Sequence, residues 1–216
     1  MLDLYKSILF DCDGVILDSN KIKTDAFYLT SIKYGEQNSN KLVKYHLANG
    51  GISRNHKFKY FIAEILKMSP SQKLYDNLVS DYSKNVFDGL LKSNLANSLK
   101  EIRDSSNHRW YVVSGGNEKE IKSVFKERNI HEFFNGGIFG SPRNKAEIFK
   151  EIISKKDFKK PAVYLGDSEY DYEVSKKALI DFIFIYEWTE FKNWKMFCED
   201  NKIKYVKNLQ CLFSKK

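Results

Sequence analysis

Short apolar runs that stop at polar residues dominate the hydrophobic pattern of this 216-residue chain. The runs are rich in β-branched and aromatic residues, and Gly, Asp or Ser directly follows most of them, which is typical of buried strands. Four clear runs and a weaker one, Gly137–Phe139, therefore predict five strands. The four clear runs are Ser7–Phe10, Trp110–Val113, Ala162–Leu165 and Ile180–Ile185.

Amphipathic helical patterns separate these strands. They comprise Ile121, Val124 and Phe125 after the second strand, Ile148, Phe149, Ile152 and Ile153 after the weak strand, and Val174 to Ala178 after the strand at 162–165. An alternation of strands and helices is typical of an α/β fold with a parallel sheet and right-handed crossovers. Open sheets of this kind bind ligands at the carboxyl ends of their strands, where the polar residues of this chain cluster.

Residues 18–89 differ, because they contain helical periods but no strand-like run. The periods are Ile22, Ala26 and Leu29, ending at Gly35; Phe58, Ile62, Ile65 and Leu66, ending before Pro70; and Leu74, Leu78, Tyr82 and Val86. The sequence Ser69-Pro70-Ser71-Gln72 predicts a capping box with Pro70 at the first helical position. We expect an α-helical cap at 18–89, inserted into an α/β core formed by residues 1–17 and 90–216.

The net charge of +8 is spread along the chain, and only five of the 36 basic residues are Arg. Recognition of bases and phosphates in nucleic acids favours Arg. We therefore expect no nucleic-acid partner, although the charge is compatible with a small phosphorylated anion.

The three cysteines, Cys12, Cys198 and Cys211, are an odd number and form no C-x-x-C pair, which disfavours a zinc knuckle or a disulfide framework. A reducing, cytoplasmic location is the expectation. No apolar run approaches the roughly 18 residues of a membrane span, so no membrane association is expected. Monomer and homodimer remain equally open.

The strongest local signal is Asp11-Cys12-Asp13-Gly14, directly after the first strand. Two carboxylates one residue apart at a strand end repel each other, and a hard cation such as Mg²⁺ would relieve that repulsion. The alternative is that Asp11 and Asp13 only end the strand and cap a turn.

Two further strand ends carry candidate chemistry. The hydroxyl of Ser114 and the backbone of Gly115 precede a helix and could form a phosphate cradle, or only an ordinary turn. Asp167 and Asp171 follow the strand at 162–165, where acidic side chains are favourable in themselves at a helix N-terminus.

Taken together, these motifs resemble those of the haloacid dehalogenase-like hydrolase superfamily, specifically its phosphatase and phosphomutase branch with a small helical cap. Four short signatures occur in the family's order, and the resemblance covers nearly the whole chain. They are Asp11-x-Asp13, Ser114, Lys145, and Gly166-Asp167-x-x-x-Asp171. The resemblance implies a Rossmann-like core with an inserted cap.

The resemblance also implies a role for each of these residues. Asp11 would be the nucleophile that forms an aspartyl-phosphate, and Asp13 the general acid and base, with its backbone carbonyl facing Mg²⁺. Lys145 would hold the Asp11 carboxylate and offset charge on the phosphoryl group, with Arg143 as the competing cation. Asp167 would complete the metal site, and Asp171 would hold a metal-bound water or the lysine.

In the predicted cap, Asn49-Gly50-Gly51-Ile52-Ser53-Arg54 resembles the cap loop of β-phosphoglucomutase-like relatives. There an arginine binds the non-reacting phosphate of the substrate, a contact that suits the bidentate guanidinium. Arg54 could equally be a surface residue.

These observations predict a Mg²⁺-dependent phosphatase of a small phosphorylated metabolite, with sugar phosphates as the favoured class. A phosphomutase is the alternative, although mutases of this type usually carry Glu-Asp where this chain has Gly166-Asp167. The presence of Asp13 disfavours a haloacid dehalogenase. A non-catalytic binding module is the alternative from a different class.

Overall fold

The computed structural model describes residues 2–213 and contains a parallel sheet of six strands in the order β3-β2-β1-β4-β5-β6. The strands are β1 Ser7–Phe10, β2 Arg109–Asn117, β3 Gly137–Ser141, β4 Ala162–Gly166, β5 Asp181–Ile185 and β6 Lys204–Val206. The predicted α/β, Rossmann-like class is confirmed. The prediction missed β6, a three-residue edge strand whose Lys204 and Tyr205 are exposed and give no apolar run.

Ten α-helices accompany the sheet in the described residues. They are α1 Asn20–Ser31, α2 Glu36–Ala48, α3 Arg54–Tyr60, α4 Gln72–Lys92, α5 Leu99–Asp104, α6 Glu118–Glu127, α7 Lys145–Ser154, α8 Glu169–Lys177, α9 Trp194–Asp200 and α10 Gln210–Phe213. A π-helical segment, Phe61–Ile65, continues α3, and 3-10 turns occur at Ile32–Tyr34 and His131–Phe133.

Five helices, α1 to α5, lie in the connection between β1 and β2. We call the first four of them, α1 to α4, the helical insertion. The sequence pattern missed α2, because only Ser39 and Leu42 of that helix are buried and its apolar stripe is correspondingly narrow. The predicted cap at Ser69 and Pro70 is wrong: Ser71 is the N-cap, and its hydroxyl accepts the backbone N–H of Leu74. The division at 18–89 stays a prediction, and α4 itself continues to Lys92.

Apolar clusters cover both faces of the sheet, as a parallel sheet requires. One face carries Phe10 and Trp110, and the same continuous cluster includes Phe58 and Tyr82 of the helical insertion. The cluster on the opposite face includes Leu9, whose side chain alternates with that of Phe10 along β1. The helical insertion therefore shares its apolar interior with the sheet.

The strand order places the candidate residues at one edge. Phe10 pairs with Val112 of β2 on one side and with Leu165 of β4 on the other, so β1 and β4 end at a similar level, whereas β2 continues to Asn117. The chain order reverses at β1, and such a switch point is where open α/β sheets form their ligand crevice.

Close packing of α4 on α1 generates a stability prediction for Gly89. In a helix interior, Gly→Ala ordinarily stabilises by about 1 kcal/mol. A Cβ at residue 89 would lie 2.5 Å from Cγ2 of Ile22, however, and this methyl group cannot rotate away freely because the Cβ of Ile22 is branched. We expect Gly89→Ala to lower the free energy of unfolding by about 1–3 kcal/mol in urea denaturation.

The double variant Gly89→Ala with Ile22→Ala should show a favourable coupling energy, because the clashing methyl group is gone. Ser80→Ala, at an exposed position of the same helix, is the matched control and should be neutral or slightly stabilising. A Gly89→Ala protein more stable than wild type would contradict the packing of α4 on α1.

Candidate active site

Asp11 is the first residue after β1, and its side chain is almost fully buried. Its Oδ2 lies 2.9 Å from Nζ of Lys145, and its Oδ1 accepts the backbone N–H of Cys12 at 2.7 Å. Burial raises the pKa of Asp11 to about 7, although the Lys145 ammonium opposes that rise. The side chain is thus fixed at both oxygens, at the centre of the sheet edge.

Two further aspartates meet Asp11 at this point. Asp11, Asp167 and Asp171 are all buried, and each places one carboxylate oxygen within 4.8 Å of the others. We call these three residues the aspartate cluster. Burial and the charges of Asp11 and Asp171 raise the pKa of Asp167 well above its usual range.

The aspartate cluster fits a hard divalent cation. Three buried carboxylates face one ammonium, Lys145, so the negative charge at this point exceeds the positive charge that contacts it. Mg²⁺ prefers oxygen ligands, and carboxylates are the ligands present.

Asp171 is held most firmly of the three. Its Oδ1 lies 2.5 Å from Nζ of Lys145 and accepts the hydroxyl of Tyr164 at 2.8 Å, while Oδ2 accepts the hydroxyl of Ser168 at 2.6 Å. Burial opposes protonation of Lys145, but Asp11 and Asp171 together raise the pKa of this lysine above its usual value. Lys145 therefore joins two of the three aspartates as an ammonium.

Arg143, the competing cation of the sequence analysis, contacts other groups. Its guanidinium pairs with Glu118 and Glu151, whereas Lys145 begins α7 behind the capping box of Asn144. The capping box fixes the start of α7 at Lys145, which contacts Asp11 at the sheet edge.

The side chain of Asp13 does not belong to the aspartate cluster. Its Oδ1 accepts the hydroxyl of Ser19 at 2.6 Å, and its Oδ2 pairs with the ammonium of Lys23. Burial by itself would raise the pKa of Asp13, but the ion pair with Lys23 lowers it below the usual range. Asp13 is therefore a carboxylate with its own counter-ion.

The strand that carries Ser114 is longer than predicted. β2 continues to Asn117 with a register shift after Val113, so Ser114 and Gly115 lie within the strand rather than after it. The buried hydroxyl of Ser114 accepts the backbone N–H of Gly116 at 2.9 Å. A Cβ at Gly115 would collide with the carbonyl oxygen of Gly51, so this close approach of the helical insertion requires glycine.

Arg54 is buried, which rules out the reading as a surface residue. Its guanidinium pairs with Glu120 of α6, donates to the hydroxyl of Ser83 at 3.0 Å, and lies 4.4 Å from the ring centre of Tyr82. Arg54 thus joins the helical insertion to the core through a buried ion pair.

One cavity of about 420 Å³ brings most of these groups together. Asp11, Asp13 and Asp167 lie in its wall on the sheet side, and Arg54 lies in its wall on the side of the helical insertion. Lys145, Ser114 and Asp171 lie behind this wall rather than in it. The same cavity also contains Lys23, His46, Lys57 and Glu190, which sequence reasoning missed.

Helical spacing could have indicated two of the missed residues. Asn20, Lys23 and Phe27 are spaced by three and four residues and share the cavity face of α1, and Lys57 follows Arg54 by three residues on α3. His46 and Glu190 give no comparable signal, because both contact Thr24, which is distant from them in sequence.

The family profile described as "Haloacid dehalogenase-like hydrolase" matches residues 8–185, which is most of the chain. The chain belongs to this family. A protein from Thermotoga maritima, described as "Phosphorylated carbohydrates phosphatase", is 21% identical over 186 residues, or 83% of this chain and 84% of that protein. The chain described here is therefore an enzyme of the phosphatase type, and a non-catalytic binding module is disfavoured.

Solved structures support the same fold for the hydrolase. A predicted phosphatase from Clostridium acetobutylicum superimposes with a TM-score of 0.74 and 16% identity, covering 98% of this chain and 97% of that one. A variant of CbbY from Rhodobacter sphaeroides, in complex with xylulose-(1,5)bisphosphate, has a TM-score of 0.68 and 16% identity, covering 94% of each chain. Across the described residues, no helix has the length and apolar character that a membrane span requires.

The buried pair of Arg54 and Glu120 generates a second stability prediction. We expect Arg54→Ala to lower the free energy of unfolding by about 3–5 kcal/mol, because it leaves the Glu120 carboxylate buried without its partner. Urea denaturation measures the change. Lys59→Ala, at an exposed position of the same helix, is the control and should change stability by less than about 0.5 kcal/mol.

The double variant Arg54→Met with Glu120→Leu should recover a large part of the loss, since no single charge is then buried. An Arg54→Ala protein as stable as the Lys59→Ala control would contradict the buried pair.

Proposed function

We propose that this chain is a Mg²⁺-dependent phosphatase that hydrolyses a small phosphorylated carbohydrate through an aspartyl-phosphate at Asp11. The observation that carries the proposal is the arrangement of Asp11, which contacts the Lys145 ammonium, belongs to the aspartate cluster and opens into the cavity. A carboxylate fixed in this way can attack phosphorus in line with the leaving group.

The reaction has two balanced halves. In the first, an Asp11 oxygen forms a bond to phosphorus and the bond to the leaving oxygen breaks. The leaving oxygen takes up the proton that Asp13 would carry in the substrate complex, where the negative charge of the phosphoryl group raises the pKa of Asp13. In the second, water attacks phosphorus and gives its proton to Asp13, while the bond to Asp11 breaks and inorganic phosphate leaves. Ser19 and Lys23, which contact Asp13, fix its orientation for both transfers.

Positive charge around the phosphoryl group has two sources in this proposal. Lys145 offsets charge next to Asp11, and its contact with Asp171 holds it in place. Asp11, Asp167 and the backbone carbonyl of Asp13 would hold Mg²⁺, with Asp171 contributing through a bound water. The ion would supply the charge that binds the phosphate oxygens and stabilises the transition state.

The helical insertion, in the role of a cap over residues 18–89, would close the cavity against bulk water. Support comes from the close approach of Gly51 to Gly115 and from the position of Arg54 in the cavity wall. We assign Ser114 and the backbone of Gly115 to the cradle of the transferred phosphate. Arg54 would face the rest of the substrate while its pair with Glu120 holds the cap on the core.

One observation favours a phosphorylated carbohydrate over other phosphate esters. The Thermotoga maritima relative is described as acting on phosphorylated carbohydrates. The cavity of about 420 Å³ is within the usual range for small-molecule sites and sets only an upper limit on the size of the substrate. A cytoplasmic location would suit such a metabolite.

Gly166 favours hydrolysis over phosphoryl transfer between sugars. A Cβ at this position would lie 2.6 Å from Cβ of Asp171, so the glutamate usual in the mutase pattern has no room here. Asp171 occupies the space instead.

Replacement of the nucleophile tests the proposal. We expect Asp11→Asn to lower kcat for p-nitrophenyl phosphate by about 10⁴-fold or more, because the amide neither attacks phosphorus nor forms the intermediate. Phosphate release over time measures the loss. Asp25→Asn, an exposed position on α1, is the matched control and should keep wild-type turnover. Comparable rates for Asp11→Asn and the control would exclude Asp11 as the nucleophile.

Removal of the metal tests the role of the aspartate cluster. We expect EDTA to abolish turnover and added Mg²⁺ to restore it. Titration calorimetry should show Mg²⁺ binding that Asp167→Asn weakens by at least about tenfold, because one carboxylate ligand is lost. The Asp25→Asn protein should bind as wild type does. Full activity in EDTA, or equal Mg²⁺ affinity of all three proteins, would contradict the assignment.

A further inference from the structure

Lys57 is a buried cation in the cavity that the mechanism above does not use. It lies on α3 and is 2% exposed, and its side chain forms part of the cavity wall. Its Nζ lies 2.7 Å from Nδ1 of His46 and 5.5 Å from the ring centre of Phe27. Among residues 2–213, Lys57 forms no ion pair with a carboxylate, and its hydrogen-bond partner is His46.

The contact with His46 belongs to a chain of hydrogen bonds with a defined direction. The carboxylate of Glu190 can only accept, so the hydroxyl of Thr24 donates to it at 2.7 Å. Thr24 Oγ1 must then accept, and the group 3.1 Å away is Nε2 of His46. Nε2 therefore carries a proton.

This direction decides what Lys57 does. Burial, together with the charge of Lys57, lowers the pKa of His46 well below its usual value, so the ring is neutral and its other nitrogen accepts. Nδ1 thus accepts one N–H of the Lys57 ammonium. An ammonium has three N–H donors, so two remain beside the cavity.

Lys57 differs in this respect from the other cations near the site. Lys145 pairs with Asp11 and Asp171, Lys23 pairs with Asp13, and Arg54 pairs with Glu120. Lys57 instead has a neutral partner, and the carboxylate of Glu190 is reached only through Thr24 and His46.

A buried ammonium without a counter-ion is costly. Burial and the neighbouring charge of Lys23 accordingly lower the pKa of Lys57 to about 7. A negatively charged ligand in the cavity would remove this penalty, and the two remaining N–H groups could donate to it.

We propose that Lys57, positioned through His46, Thr24 and Glu190, binds an anionic group on the part of the substrate that is not transferred. The substrate class is then a doubly anionic carbohydrate, with one phosphoryl group at Asp11 and a carboxylate or second phosphate at Lys57. The proposal rests on the proposed function only for the phosphoryl end, because Lys57 makes no contact with the aspartate cluster.

A substrate panel tests the proposal and separates the two sources of negative charge. The panel contains glucose 6-phosphate, whose remainder is neutral, 6-phosphogluconate, which adds a carboxylate, fructose 1,6-bisphosphate, which adds a phosphate, and p-nitrophenyl phosphate. We expect wild type to prefer one of the doubly anionic compounds over glucose 6-phosphate. The preferred compound identifies the anionic group.

Three variants assign that preference to Lys57. In Lys57→Met, the ratio of kcat/KM for the preferred compound to kcat/KM for p-nitrophenyl phosphate should fall by about 10–100-fold, mainly through KM. Lys57→Arg should retain part of the ratio, since the charge remains. Lys59→Met, exposed on the same helix, should keep it. Equal ratios in Lys57→Met and Lys59→Met, with matching melting temperatures, would overturn the proposal.

Binding without turnover separates this proposal from the proposed function. We expect calorimetry with 6-phosphogluconate and with fructose 1,6-bisphosphate to show that Asp11→Asn binds at least one of them and that Asp11→Asn with Lys57→Met binds that compound about 10–100-fold more weakly. Such a loss supports the proposal even if wild type hydrolyses no phosphate ester. Equal affinities in both variants would overturn it, even if wild type is an efficient phosphatase.

Discussion

The ammonium of Lys145 is the group on which the candidate site depends. It contacts Asp11 after β1 and Asp171 on α8, so it joins two elements that are far apart in the chain. Buried carboxylates without partners cost several kcal/mol, and the sheet order is what makes the pairing possible. Because β1 and β4 are neighbouring strands, Asp11 after β1 lies beside Asp167 after β4. Lys145, the first residue of α7, contacts Asp11 there.

The charges of the cavity divide it into two ends. At the sheet, the three carboxylates of the aspartate cluster outnumber the one ammonium that contacts them, which favours binding of a metal ion. A metal ion there would in turn favour a phosphoryl group. At the helical insertion, Arg54 is neutralised by Glu120, and Lys57 contacts neutral His46 instead of a carboxylate. This separation gives each end of a small substrate a different electrostatic environment.

The sequence was sufficient for five of the six strands, because apolar runs encode them locally. Lys145, which contacts Asp11, entered the prediction only through the family resemblance, because one lysine among many gives no signal of its own. The sequence was insufficient where the information is not local. The edge strand β6 has no apolar run, and α2 has a narrow apolar face, so neither shows the usual periodicity. The environment of Lys57 depends on His46 from another helix and could only be found in three dimensions.

The shared apolar cluster constrains how substrate specificity can change. Phe58 and Tyr82 of the helical insertion pack in the same cluster as Phe10 and Trp110 of the sheet. An insertion taken from a relative would have to match those aromatic surfaces as well as the cavity, since mismatched packing leaves voids or overlaps. Evolution of a new substrate preference is therefore easier through single replacements on the inner faces of α1, α2 and α3 than through exchange of the whole segment.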